Sequence, residues 1–160
     1  MLIKYLGLTW KDHVRKKRVS LNSRLKVIYR LVRYASPMSL RLKLLMYKML
    51  LRPIWSYGAV LFGSAKISHI SKLQAFQSKF LRLVTGSPFY VSNRTLHDDL
   101  QMPYVTDYIK FLYTKYYDKL QNHQNPLVSV LHRRDFPRLR RLRRIWNRDL
   151  QDCNLSKNLL

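Results

Sequence analysis

The sequence predicts an all-α protein of about five helices, with a short strand before them and an Arg-rich tail after them. Two observations carry that expectation. Apolar residues recur every three or four positions over long stretches, which is the spacing of one helix face. Proline and glycine stops separate those stretches at Ser36-Pro37, Pro53, Thr85-Gly86-Ser87-Pro88 and Met102-Pro103. The 160 residues amount to one domain, and an apolar fraction of 47% is that of a globular chain, not a disordered one.

Element by element, Leu2, Tyr5 and Leu6 form a short apolar strand that Gly7 ends or bulges. No partner for it stands nearby in the sequence, which points to a sheet further upstream. The first helix starts at Thr9, with Asp12 three residues on as a capping-box-like pair. Val14, Leu21, Leu25, Ile28 and Val32 give its buried stripe, interrupted by Arg18. Ser39 caps a second helix with an apolar face of Leu42, Leu45, Met46, Met49 and Leu50, which Pro53 kinks or ends. From Ile54 through Trp55, Tyr57, Val60, Leu61 and Phe62 the chain is apolar nearly all round, so this stretch is expected to be the most buried. A third helix runs from about Ser68 to Val84 on Ile70, Leu73, Phe76, Phe80, Leu81 and Val84, with Gly86 as a left-handed cap. Asn93 caps a short fourth helix, and a fifth runs from about Thr106 to Gln121 on Ile109, Leu112, Tyr113, Tyr116 and Leu120. One more helical turn is expected at Leu127 to Leu131. Three segments follow: residues 1–8, a helical domain over 9–131 and a basic tail over 132–160.

Charge is the unusual property. Lys and Arg total 31 against 8 acids, for a net charge of +23, and every acid is Asp. The Glu–Lys pairs that usually compensate exposed helix faces are therefore missing. Self-repulsion on this scale favours a polyanionic partner, and nucleic acid is the commonest one. Charge alone also fits an anionic membrane, but no helix pairs a clean basic face with an exposed apolar one. The longest uncharged run, Pro53 to Ala65, is too short to span a bilayer. With no signal-peptide h-region and a single cysteine, Cys153, the chain is read as intracellular, associated with nucleic acid or the nucleus, and not secreted.

Two basic clusters are the candidate binding residues. Lys11, Arg15 and Arg18 share a ridge on the first helix, flanked by Lys16 and Lys17, and such a ridge can lie along phosphates without reading bases. In the tail, Arg138, Arg140, Arg141, Arg143 and Arg144 would meet phosphates while Trp146 stacks on an exposed base. The bland readings are a solvated helix face for the first and a nuclear-localisation signal or functionless tail for the second. Trp55, Tyr57 and Phe62 are read as core, whereas Phe89 and Tyr90 lie in a loop and are freer to touch a partner. Catalytic candidates are poor. Adjacent Asp98 and Asp99 on a helix diverge by roughly 100° and cannot share a metal pair. His13 beside Asp12 lacks a nucleophile, no zinc spacing occurs, and no metal or other cofactor is expected.

Several stretches resemble jockey-like non-LTR retrotransposon reverse transcriptases. They are Lys4-Tyr5-Leu6-Gly7 with Leu8-Thr9-Trp10-Lys11-Asp12-His13, Leu44-Leu45-Met46-Tyr47-Lys48, and Arg52-Pro53-Ile54-Trp55-Ser56-Tyr57-Gly58. Leu73 to Arg82, Pro88 to Asn93, Leu96 to Leu100 with Met102-Pro103, and Asn125-Pro126-Leu127 follow in the family's order. The resemblance implies a helical thumb that grips a template–primer duplex behind a catalytic palm, plus a C-terminal extension. It makes residues 1–8 a remnant of the palm–thumb junction strand, shortened here because Gly7 runs almost directly into Thr9-Trp10. It also implies that the catalytic aspartates, and the Mg they hold, belong to a palm upstream of everything present. The expected partners are thus an RNA/DNA template–primer duplex or other nucleic acid, and the rest of the polymerase, with binding but no synthesis. Two rivals stand beside this reading: a decayed element fragment without selected function, and a basic module docking on an acidic protein.

Overall fold

A computed structural model describes residues 4–5, 8–62, 67–121 and 123–129. The tail candidates Arg138, Arg140, Arg141, Arg143, Arg144 and Trp146 lie outside the described residues, as do Cys153 and the side chain of Lys11. The described chain is all-α apart from a two-stranded ribbon at its start. There, β1 (Lys4–Tyr5) pairs antiparallel with β2 (Leu8–Thr9), Lys4 opposite Thr9 and Tyr5 opposite Leu8. The first strand thus finds a partner just downstream in the sequence, contrary to the expectation that none stands nearby.

Helix α1 (Trp10–Val32) begins directly after β2, and its stripe of Val14, Leu21, Leu25, Ile28 and Val32 is buried. The turn just past its C-terminal end is held from a distance. The Lys43 ammonium donates to the carbonyls of Arg33 at 2.9 Å, Tyr34 at 3.3 Å and Ser36 at 3.2 Å. A cation at a helix C-terminus satisfies orphan acceptors and meets the negative end of the dipole. Ser39 caps α2 (Leu40–Met46), its hydroxyl accepting from the Leu42 N–H.

From α2 the backbone runs without a break through a π-helical turn (Tyr47–Leu51) into α3 (Arg52–Ser56). Pro53 therefore neither ends nor simply kinks the rod. It falls in the first turn of α3, where its missing N–H is tolerated, and the widened turn sits immediately before it. The π turn also resets the buried face. Positions four apart line up across a wider turn, so Lys43, Tyr47, Leu51 and Trp55 point inward. Of the apolar face expected from periodicity, only Met46 packs on the core; Leu42, Leu45, Met49 and Leu50 are exposed. Tyr47 tolerates burial because its hydroxyl accepts from Trp55 Nε1 at 3.2 Å, and burial pushes its phenol up to about 12, keeping it neutral.

Gly58, at φ +68°, turns the chain into α4 (Ala59–Phe62). Here Trp55, Ala59 and Phe62 are buried, but Tyr57 is 83% exposed and Leu61 also faces out, so this stretch is core on one side only. Helix α5 (Ile67–Thr85) buries the six expected apolar residues and packs between α1 and α7 (Val105–Gln121). The short α6 (Asn93–Asp99) is capped by Ser92, not Asn93: the Ser92 hydroxyl accepts the Thr95 N–H at 3.1 Å. In α7, Ile109, Tyr113 and Leu120 are buried while Tyr116 is 43% exposed. A last turn, α8, covers Pro126–Ser129.

Gly86 holds the end of α5 twice over. Its φ is +67°, and a Cβ there would lie 2.7 Å from Cγ of Tyr34. Gly86→Ala should destabilise the fold by about 2 kcal/mol, seen as a lower Tm. Adding Tyr34→Ala should relieve the clash and leave about 1 kcal/mol for the backbone conformation.

Candidate nucleic-acid interface

Helix α1 places the first basic cluster. Arg15, Lys16 and Arg18 are exposed, as the ridge requires. The row continues beyond Arg18. Positions 15, 18, 22, 26, 29 and 33 follow one another at three- and four-residue steps, and Arg15, Arg18, Lys26 and Arg33 are all exposed along it. Asn22 and Tyr29 interrupt the charge, which is why the continuation is easy to miss. At a rise of roughly 1.5 Å per residue, the row from position 15 to position 33 extends about 27 Å, so it offers cations over most of one turn of a duplex.

Lys17 does not belong to that surface. Both it and Arg18 neighbour the apolar stripe, three and four residues after Val14, and the fold turns Lys17 inward to 8% exposure. Its ammonium donates to the carbonyls of Ile54 at 2.9 Å and Tyr57 at 2.7 Å, at the C-terminal end of α3. It also lies over the Phe62 ring, 5.1 Å from the centroid. Those partners occupy the cation that was assigned to phosphate binding. Burial lowers its pKa to about 8. His13 packs against Phe62 at 5.6 Å between ring centroids. Burial, then the neighbouring charges of Lys17 and Lys16, lower its pKa.

The carboxylates of α6 are solvated. Asp98 and Asp99 are exposed, and Asp98 pairs with Arg94 one turn away at 3.7 Å. Their neighbour His97 is different, being 3% exposed and stacked on Tyr104 with centroids 4.0 Å apart. Its Nδ1 must donate to the Met102 carbonyl at 2.7 Å, since a carbonyl only accepts. Its Nε2 then accepts from the Gln74 amide at 2.9 Å, whose oxygen accepts the Val105 N–H at 2.8 Å. This chain of bonds ties α5 to the loop that starts α7. Nothing in the local sequence distinguishes His97 from a solvated histidine, because its partners are distant in the chain. Phe89 and Tyr90 are exposed in their loop, edge to face with each other. Among the described residues, no group of His, Cys, Asp or Glu is arranged to hold a metal, and no helix is long and apolar enough to cross a membrane.

Comparison with known proteins decides the ancestry. The chain is 42% identical over 153 residues to the probable RNA-directed DNA polymerase from transposon X-element of Drosophila melanogaster, a match covering 92% of this chain. It is 34% identical over 149 residues to the probable RNA-directed DNA polymerase from transposon BS of the same species, covering 88% of this chain. The RNA-directed DNA polymerase from mobile element jockey of Drosophila funebris is 31% identical over 166 residues, covering 96%. The chain is homologous to part of the jockey-like non-LTR retrotransposon RNA-directed DNA polymerases. Only 16 to 18% of each of these relatives is covered, so the jockey-like chain corresponds to a small portion of their length. No protein-family profile matches it, and no solved structure does.

The lowered pKa of Lys17 has a measurable consequence for this jockey-like fold. Between about 8 and the ordinary 10.5, the unfolded chain holds a proton on this lysine that the folded chain has released. The group's contribution is thus fully present above 10.5 and is lost as pH falls through about 8. Unfolding free energy should rise across that window in the wild type relative to Lys17→Met, as read from paired urea titrations. Parallel pH profiles for the two proteins would contradict the assignment.

Proposed function

We propose that this chain is the nucleic-acid-holding, thumb-side part of a retrotransposon RNA-directed DNA polymerase, and that it binds a template–primer duplex through phosphate contacts without itself joining nucleotides. The observation that carries the reading is the exposed basic row along α1, which the chain's eight aspartates cannot offset. Arg15 and Arg18 begin that row with Lys16 beside them, Lys26 and Arg33 extend it, and in this reading Lys11, four positions before Arg15 in the sequence, joins them. Contacts of this kind set position and affinity, not sequence preference. The Arg-rich tail, with Arg138, Arg140, Arg141, Arg143, Arg144 and Trp146, adds a second phosphate-binding segment in this reading. The descent from RNA-directed DNA polymerases supports nucleic acid over an acidic protein as the natural polyanion. Nucleotide joining is assigned to a palm, with its carboxylates and Mg. The divergent, solvated Asp98 and Asp99 are unsuited to replace it.

Fluorescence anisotropy on a primed RNA template, duplex DNA and single-stranded RNA across a salt series tests the reading. Affinity should fall steeply with salt and be highest for the primed hybrid. Replacing Arg15, Lys16 and Arg18 together by Gln should lower the salt slope for duplexes by about 2 to 3, from about 0.9 per lost phosphate contact. Equal affinity for all three ligands, with an unchanged slope in the triple variant, would leave charge alone at work and favour a decayed fragment. Template-dependent incorporation that survives Asp98→Ala with Asp99→Ala would sink the claim that the chain does not polymerise.

A further inference from the structure

A second surface lies away from the α1 row. An open cleft of about 750 Å³ separates the π-helical turn and the start of α3 from the first half of α7. Lys48 and Arg52, one helical turn apart, form one wall. Tyr104, Tyr108 and Phe111 form the other; their spacing of four and three residues puts them on one side of α7 and its N-terminal approach.

Both walls are fixed in advance. The Arg52 guanidinium lies 4.6 Å above the Tyr108 ring centroid, and Trp55 meets the same ring edge-on at 5.5 Å. The polar contact of Arg52 is the Met102 sulfur at 3.9 Å, a weak acceptor, and no carboxylate among the described residues is paired with it. A guanidinium thus oriented, with most of its N–H donors still unused, is prepared for an anion. Tyr104 is backed by buried His97, which the Met102 carbonyl and Gln74 hold in place. Phe111 and Tyr108 lie 6.0 Å apart and extend the aromatic wall.

Cations facing a row of rings suit a ligand that is anionic at one end and planar at the other. The acids decide how much of it enters. Asp98 and Asp107 line the same cleft, so a continuous run of phosphates through it would be repelled. They can instead accept from the amino groups of a base or from a sugar hydroxyl. We propose that this cleft receives a single unpaired nucleotide, its base against Phe111 and Tyr104 beside the Arg52-covered Tyr108 ring, and its phosphate against Lys48 and the outer edge of Arg52. The proposal rests on the reading of the chain as a nucleic-acid binder, but it uses a surface separate from the α1 row.

The test uses the full chain and a single-stranded oligonucleotide of about ten nucleotides carrying one 2-aminopurine, whose fluorescence is quenched by stacking. Binding should quench the probe. Phe111→Ala combined with Lys48→Gln should weaken binding roughly tenfold and remove the quench, while affinity for a blunt duplex stays unchanged. Lys48 is exposed, so Lys48→Gln alone preserves the core and should still reduce the single-strand salt slope by about one. The triple Gln variant of Arg15, Lys16 and Arg18 should show the reverse pattern, losing duplex affinity and keeping the quench. If that triple variant leaves duplex binding intact while the cleft variants abolish the quench, the duplex-holding reading fails and the cleft stands. A quench that survives both cleft variants overturns the cleft, as does its displacement by polyglutamate as effectively as by unlabelled oligonucleotide.

Discussion

Neutral oxygen acceptors hold the interior cations of this protein together. A chain with 31 basic residues and eight acids has few carboxylates to offer its buried cations. The fold uses main-chain carbonyls at the ends of elements instead. Lys43 gathers three carbonyls beyond the end of α1, and Lys17 takes two at the end of α3. Arg82 holds the loop before α6 through the carbonyls of Pro88 at 2.7 Å and Val91 at 2.6 Å, and the Asn93 side chain at 3.0 Å. Carbonyls at helix ends carry partial negative charge and would otherwise lack donors. The cations and the helix ends thus solve each other's problem. Among the described residues Asp98, Asp99 and Asp118 are left at the surface, and so is much of the positive charge that a polyanion would neutralise.

This solution also explains which parts of the molecule are legible from sequence. Helices α1, α5 and α7 follow the three-to-four spacing of their apolar residues because each packs along one face of an ordinary α-helix. Gly86 is legible because a positive φ at a helix end selects glycine. Lys17 and Lys43 are not, since a buried lysine is recognisable only once the carbonyls it will reach have been brought near by the fold. The rod from Leu40 to Ser56 fails for a different reason. Hydropathy favours Leu42, Leu45 and Met49 over Tyr47, and periodicity assumes a uniform turn. The π turn before Pro53 breaks that assumption, and the hydrogen bond between Tyr47 and Trp55 removes the penalty that hydropathy charges to tyrosine.

The candidate sites divide the same way. The α1 row was visible at its N-terminal end, where charge is dense, and missed where Asn22 and Tyr29 dilute it. The cleft was invisible, because Lys48 and Arg52 stand more than fifty positions from Tyr104, Tyr108 and Phe111. His97 sits in a polar stretch that reads as solvated, yet its ring is held by Gln74 from α5 and by a carbonyl from the loop before α7. For the cleft and for His97 the missing information is tertiary: it concerns which distant groups share a space, and no local pattern encodes that.

Helix α3 is the joint between the two surfaces. It is only five residues long, yet it carries contacts in both directions. Its Ile54 carbonyl and that of the following Tyr57 receive Lys17 from α1, the helix bearing the basic row. Arg52 and Trp55 both engage Tyr108 of α7, whose ring forms part of the aromatic wall. A duplex along α1 and a nucleotide in the cleft would therefore be held in a fixed relation by a few short-range contacts. Loosening Lys17 would not remove a phosphate contact, since its ammonium faces inward. It would instead free α1 to shift against α3, and with it the alignment of the two surfaces. Arg52 has the converse standing: it shapes the cleft from inside the rod, and its position depends on the turn that accommodates Pro53.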